Sequence, residues 1–253
     1  MKISEIKNQA SLSLEGNLFK EILMTLFYTL INLLAQFILT KLNTFFANTN
    51  TLFLIIQIVI NLALLPFSYG LIVSLIELSK NKNVGLTNFI NVGLLNYTKI
   101  IKIFFGIFLR ILGYVALFII ALMLCVINFG NPAINTLFAI LLITSIIFLL
   151  IKSLDFVLVL FINYDDSKLP VKEIIKKSKE LMKKNKFKYV LLVLSFILWF
   201  IIFALLGKIL NYFIDPTYSL YISNILFSLI TPAITISQYI FYDSLENTNE
   251  IKK

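Results

Sequence analysis

The feature that most constrains this chain is the length of its uncharged apolar stretches. Residues 22–40 and 42–76 contain no charged side chain, and neither do the forty-one residues of 111–151. A helix rises about 1.5 Å per residue, so about twenty apolar residues cross the roughly 30 Å hydrocarbon core of a bilayer. Hydrophobic residues make up 59% of the chain and charged residues 14%. Soluble domains have about 45–50% and about 25%, so we expect a membrane protein.

The apolar stretches divide into six predicted spans. The polar segment 43–51 separates the first two, the turn-forming sequence Gly130-Asn131-Pro132 divides the third stretch, and 208–215 precedes the last span. The predicted spans are 22–40, 52–76, 111–129, 134–151, 189–207 and 216–242. They predict an all-α, polytopic helix bundle that forms a single integral membrane domain over residues 1–253.

Basic residues lie almost entirely on one predicted side of the membrane. All but Lys41 and Lys208 of the 22 lysines and arginines belong to the termini or to the segments that follow spans two and four. Cytoplasmic loops close to the spans carry the excess of positive charge in membrane proteins. Both termini and the two basic loops are therefore predicted to be cytoplasmic.

One cytoplasmic segment, 170–187, has the pattern of an amphipathic juxtamembrane helix. Apolar residues such as Ile174 and Leu181 recur at helical spacing and leave a cationic face between them. The lysines of that face are Lys172, Lys176, Lys177, Lys179, Lys183, Lys184 and Lys186. We expect the apolar face to lie in the inner headgroup layer and the lysines to attract anionic lipids, by up to about 1 kcal/mol each.

Two interpretations of this lysine-rich face stay open at the level of sequence. The lysines either only enforce the topology, or they also bind a partner protein, acidic lipid or another anion. Binding of nucleic acid is not expected, because Phe187 is the one aromatic residue interleaved with the basic stretch.

A short pattern recurs just before three of the predicted spans. Asparagine is followed by an aromatic residue and then lysine in 17–20 and 185–188, and in looser form in 96–99. This pattern favours three repeats, each made of a surface helix and a two-span hairpin, although chance similarity is the alternative.

An ion pair is predicted at the inner end of the third and fourth spans. Arg110 is the one arginine of the chain and lies twenty residues before Gly130 of the predicted turn. Lys152 lies twenty residues after Pro132, so it is expected at the same membrane depth on the fourth span. Asp155 then lies about one helical turn further in, within reach of Arg110. The pair Arg110–Asp155 either lines a functional gate or acts as a structural clamp at the membrane edge.

Several segments of the chain resemble a known bacterial family. These are 3–17, the string SKELMKKNK at 178–186, the segment 194–199, and FYDSL at 241–245. The chain is similar in them to the integral membrane family called domain of unknown function 975. The resemblance implies a bacterial plasma membrane protein and a remote likeness to the membrane domain of some glycerophosphodiester phosphodiesterases. It implies no catalytic residues.

The side-chain inventory excludes much chemistry. The chain has no histidine and a single cysteine, Cys125, which excludes His or multi-Cys metal sites and Ser-His or Cys-His dyads. We predict no catalytic, cofactor-binding or metal-binding residues, no cofactor and no enzyme activity. The favoured function is a non-enzymatic membrane scaffold, tolerance or self-immunity protein with a membrane-protein partner. The alternative is a permease subunit of a transporter that works with a separate ATPase.

Overall fold

The computed structural model of the chain describes residues 1–45, 50–127 and 132–250. Within these residues the fold is all-α without a β-strand, which confirms the predicted class. The helices are α1 (Ile3–Leu14), α2 (Leu18–Phe45), α3 (Asn50–Ser79), α4 (Asn88–Leu95), α5 (Tyr97–Val126), α6 (Pro132–Ser153), α7 (Val159–Asp165), α8 (Val171–Met182), α9 (Lys186–Leu194), α10 (Ile197–Leu210), α11 (Pro216–Ser228) and α12 (Thr231–Glu250). A 3₁₀ turn, Leu154–Phe156, joins α6 to α7.

The chain has the helices of a multi-pass membrane protein. Among the residues that the structure describes, four segments are long and apolar enough to cross a bilayer, namely Leu18–Leu42, Thr51–Ser79, Tyr97–Val126 and Ala133–Asp165. Two helix pairs reach the same length only together, and each is bent by 42°: Lys186–Leu194 with Ile197–Leu210, and Tyr218–Ser228 with Thr231–Asn247. By length and composition, the described residues therefore contain four candidate spans, or up to six if each bent pair is one span.

The helix boundaries differ from the predicted spans mainly where charged residues interrupt an apolar run. Helix α5 begins at Tyr97, whereas the span was predicted to begin at 111. A lysine or arginine ends an apolar run without ending a helix, since both are good helix formers. Of the predicted loop 43–51, the structure assigns Phe45 to α2 and Asn50 to α3; residues 46–49, and residues 130 and 131 of the predicted turn, lie outside the described residues.

The segment 170–187, predicted as one helix, is divided by a turn. Helix α8 ends at Met182, where the Asn185 side-chain amide donates a 2.7 Å hydrogen bond to the carbonyl of Leu181. The Asn185 backbone N–H donates to the carbonyl of Met182 at 3.1 Å. Asparagine thus satisfies carbonyls at the helix end that have no partner within the helix, and α9 begins at Lys186.

The chain forms two compact units, residues 1–101 with 188–253, and residues 102–187. In the first unit, α4 packs directly on α3 through glycines. A Cβ atom on Gly93 would lie 2.8 Å from the carbonyl oxygen of Pro66, and one on Gly70 would overlap the carbonyl of Phe89. Glycine at both positions lets the two backbones approach, as small residues do between membrane helices.

Helix α1 packs on α12 in the same unit. Its Lys7 side chain also contacts the break between α9 and α10. The Lys7 ammonium donates to the carbonyl of Ser195 at 3.2 Å and lies 4.8 Å from the centre of the Phe196 ring. A broken helix leaves carbonyl groups without their usual donors, and another part of the protein has to satisfy them. Lys7 does so here, which makes the break a supported structural feature.

Candidate functional site

A buried acid organises the second unit, residues 102–187. The 3₁₀ turn after α6 buries Asp155, which is 4% exposed, together with Phe156. The Lys186 ammonium lies 2.5 Å from Asp155 Oδ1 and also donates to the carbonyl of Ile151 at 2.9 Å. The hydroxyl of Ser178, on α8, donates to the Asp155 carbonyl at 2.8 Å. Through these contacts, the 3₁₀ turn that follows α6 is bonded both to α8 and to the first residue of α9.

The ion pair of Asp155 differs from the one predicted between Asp155 and Arg110. In the structure the Asp155 carboxylate pairs with Lys186, while Arg110 Nη1 donates to the carbonyl of Gly106, one turn back on its own helix, at 2.7 Å. The cause is the turn at 183–185, which ends α8 and brings Lys186 to the acid. Counting along the α5–α6 hairpin considers only the residues of that hairpin and so could not identify this partner.

Arg110 and Asp155 nevertheless line the same cavity, which we call the basic cavity. Its volume is about 370 Å³. Its walls come from α5, α6, the 3₁₀ turn and α8, and consist of Arg110, Tyr114, Lys152, Asp155, Phe156, Ile175, Lys176 and Lys179. Four of these residues are cationic. The single acid is already neutralised by Lys186, which is not a wall residue, so the cavity presents a strong excess of positive charge.

The cationic groups of the basic cavity are held by few direct contacts. The Lys152 ammonium lies 5.6 Å from the centre of the Tyr114 ring, a weak cation–π contact. Lys176 is 3.9 Å from Glu180 on the exposed side of α8, a pair that contributes little in water. Arg110 uses one hydrogen-bond donor on Gly106, and a guanidinium has five. The cavity therefore retains donors for a bound anion.

The apolar face of α8 corrects one expectation from sequence. That face was expected to lie among lipid headgroups, but α8 packs on the 3₁₀ turn and α7, and Ile174 and Met182 are fully buried. Ile175 is buried against α5, where its Cδ1 would touch a Cβ placed on Gly106. The second unit has its own apolar surface to cover, and α8 covers it in preference to lipid.

The seven lysines of the predicted cationic face have three different placements. Lys176 and Lys179 line the basic cavity, and Lys186 binds Asp155. The remaining four are outside that cavity wall: Lys172, Lys183 and Lys184 are exposed and Lys177 is half-buried. The sequence pattern identified the residues but could not separate these groups, because they share one helical face and differ only in their tertiary neighbours.

Sequence reasoning missed a second buried acid, Glu21, which directly precedes the first predicted span. Glu21 is fully buried at the start of α2, and none of the described residues donates a hydrogen bond to either of its carboxylate oxygens. A second cavity, of about 210 Å³, lies further along α2. Its polar lining includes Tyr28, Asn32 and Asn224. Neither feature shares residues with the basic cavity.

In the described part of the chain, no group of three or more His, Cys, Asp or Glu side chains is placed to hold a metal ion. A family model described as "Protein of unknown function (DUF975)" matches residues 1–249. No curated protein and no solved structure matches the chain. The resemblance drawn from the sequence segments is confirmed, while the remote likeness to the membrane domain of glycerophosphodiester phosphodiesterases stays a prediction.

Proposed function

Because the chain belongs to the DUF975 family of proteins of unknown function, we propose a role from its own residues. The protein is a non-enzymatic scaffold of the bacterial plasma membrane, of the kind that serves tolerance or self-immunity. Its inner face holds anionic lipids and a membrane-protein partner. The observation that carries this proposal is the lysine-rich face of α8, which is exposed while the opposite face is buried in protein.

This burial bears on the open question of what the lysines do. If α8 used its apolar face to enter the headgroup layer, the lysines would simply mark the polar side of an interfacial helix. That face is occupied by Ile174, Ile175 and Met182 packed within the protein. The lysines therefore act as a displayed basic surface, and each one near a membrane containing anionic lipid contributes up to about 1 kcal/mol of attraction.

Six spans with both termini in the cytoplasm are part of the same proposal. Each bent helix pair is counted as one span, and nearly all of the basic residues then lie on the inner side. Labelling with a membrane-impermeant maleimide in a Cys125→Ala background tests this topology. We expect Asn211→Cys to react in intact cells and Lys183→Cys only after permeabilisation. The Cys125→Ala protein alone is the unlabelled control, and labelling of position 183 in intact cells would refute the orientation.

Three repeated units, each a surface helix followed by a hairpin, are also proposed. The support is a shared local design: only one to three residues separate α1 from α2, α4 from α5 and α8 from α9, and the last of them is Asn17, Asn96 or Asn185. Each short helix also packs on a helix that closes a hairpin, α1 on α12, α4 on α3 and α8 on α7.

A permease subunit that works with a separate ATPase is the second candidate, and the two bent helix pairs favour it. Discontinuous helices form substrate sites in many transporters. Against it stands the break at Ser195, whose carbonyl is held by Lys7 and so is occupied by the protein itself.

Affinity purification of the full-length protein in a mild detergent separates the two candidates. We expect recovery of the protein alone or with a membrane partner that is not an ATPase, because no feature of the basic surface requires nucleotide hydrolysis. A mock purification from cells without the tagged chain is the control. Stoichiometric recovery of an ATPase would contradict the scaffold proposal and support the permease proposal.

A further inference from the structure

The basic cavity concentrates more positive charge than the protein itself neutralises. Arg110 on α5, Lys152 on α6, and Lys176 and Lys179 on α8 line one space of about 370 Å³. Like charges that face a shared cavity repel one another, and the repulsion weakens only through solvent or a bound anion. The fold nevertheless brings these groups together from three helices, which is the arrangement of an anion-binding site.

The acid in the cavity wall does not cancel this charge. The Asp155 carboxylate is paired at 2.5 Å with Lys186, a residue outside the wall, and it is almost fully buried. The four wall cations therefore face the cavity without a carboxylate of their own, apart from the distant pair of Lys176 with Glu180 at 3.9 Å. A ligand with more than one negative charge matches them best.

The donor geometry of the wall points to phosphate oxygens. A guanidinium presents a planar fork of N–H donors that fits two oxygens of a phosphate, and lysine ammoniums act as mobile point charges around it. The wall also contains the Tyr114 side chain and an apolar side formed by Phe156 and Ile175. A phosphate carried on an organic group would thus find polar and apolar contacts in one cavity.

From these observations we propose that the basic cavity binds a phosphomonoester dianion, supplied either by a lipid headgroup or by soluble phosphate. A phosphomonoester carries a charge of about −1.5 to −2 at pH 7 and three terminal oxygens, whereas a phosphodiester carries one charge. The cavity should therefore select monoester over diester. This inference deepens the proposed function and rests on its assignment of α8 to the inner face of the membrane.

The test compares lipid selectivity in two double variants of equal charge, whose substitutions lie in α8 or directly after its end. The full-length protein in detergent is titrated with phosphatidic acid, a monoester, and with phosphatidylglycerol, a diester, and bound lipid is counted by native mass spectrometry. For the wild-type protein we expect about tenfold preference for phosphatidic acid, the size of one charge-assisted hydrogen bond. The double variant Lys176→Gln/Lys179→Gln should reduce this preference close to one.

The matched control is Lys172→Gln/Lys183→Gln, which removes the same charge from exposed positions outside the cavity wall. This control should weaken the binding of phosphatidic acid and of phosphatidylglycerol by the same factor, and so leave the preference for phosphatidic acid unchanged. A wild-type preference near one, or an equal loss of preference in both double variants, would overturn the cavity proposal. If the Lys176/Lys179 variant does not elute as a monodisperse protein, Arg110→Gln replaces it, and the wild-type preference remains decisive.

Inorganic phosphate, added in excess during the titration, separates the two sources of the ligand. Displacement of phosphatidic acid assigns the cavity to soluble phosphate groups, and unchanged binding assigns it to the lipid headgroup. The scaffold proposal fails separately: it loses its support if Lys172→Gln/Lys183→Gln has no effect on phosphatidylglycerol binding, whatever the preference for monoester.

Discussion

Replacing Gly70 with alanine is expected to disrupt the packing of α4 on α3. A Cβ at this position would overlap the carbonyl oxygen of Phe89, a backbone atom that cannot rotate away as a side chain can. The two helices would have to separate, which exposes the fully buried Phe89 ring. Overpacking in a closely packed interior costs about 1–3 kcal/mol and occasionally more. We expect a cost at or above the top of that range, seen as a lower denaturation midpoint of the purified protein in detergent.

Two further alanine substitutions make this prediction specific. Gly93→Ala should act in the same direction, because its Cβ would lie 2.8 Å from the carbonyl oxygen of Pro66. Gly113→Ala, also within a helix but with no atom within 4 Å of the added Cβ, is the matched control. It should leave the midpoint unchanged or slightly raised, since alanine is the better helix former. Equal midpoints for Gly70→Ala and Gly113→Ala would contradict the close approach of α3 and α4.

Removing Lys186 is expected to be the most damaging change in the second unit. Lys186→Gln would leave the Asp155 carboxylate, whose side chain is 6% exposed, without its partner. Breaking a buried ion pair in this way costs about 3–5 kcal/mol, and a value near the lower end is expected because the Lys186 side chain keeps 24% exposure. Asp155→Asn should cost less, because the partly exposed Lys186 ammonium can be hydrated more easily than the buried Asp155 carboxylate.

A double-mutant cycle measures the pair directly. The variant Asp155→Asn/Lys186→Gln should be more stable than the sum of the single effects predicts, since neither charge is then left unpaired. The same cycle with Arg110→Gln in place of Lys186→Gln should give a smaller coupling, because Arg110 donates to Gly106 and not to Asp155. Denaturation midpoints in one detergent give both couplings. A larger coupling with Arg110 would restore the pairing expected from sequence.

The chain's membrane character could be predicted because it depends on local composition. Runs such as 111–151 have no charge over forty-one residues, which is long enough for two membrane-spanning helices and typical of them. Helix type follows for the same reason, since a backbone inside lipid must satisfy its own hydrogen bonds. The family was also accessible from short segments, because a family pattern is a property of residue order.

The candidate site was predictable only in part. Arg110, Asp155 and the lysines of α8 were identified as charges at the inner edge of the spans, and periodicity placed Ile174 and Leu181 on one face. Periodicity could not identify what covers that face, because an apolar face has the same sequence pattern whether lipid or protein covers it. Glu21 was missed because its burial depends on the helices packed around it.

The residue order alone determined three properties: that the apolar runs are suited to lipid, that the spans are helical, and where the basic residues lie along the chain. These properties come from neighbours in the chain. Tertiary structure alone decided that Lys186 and not Arg110 pairs with Asp155, that protein covers the apolar face of α8, and that Lys176 and Lys179 join Arg110 and Lys152 around one cavity. The physical reason is that charge pairing and burial depend on distance in space, and the turn at 183–185 changes those distances while leaving the helical pattern on either side of it intact.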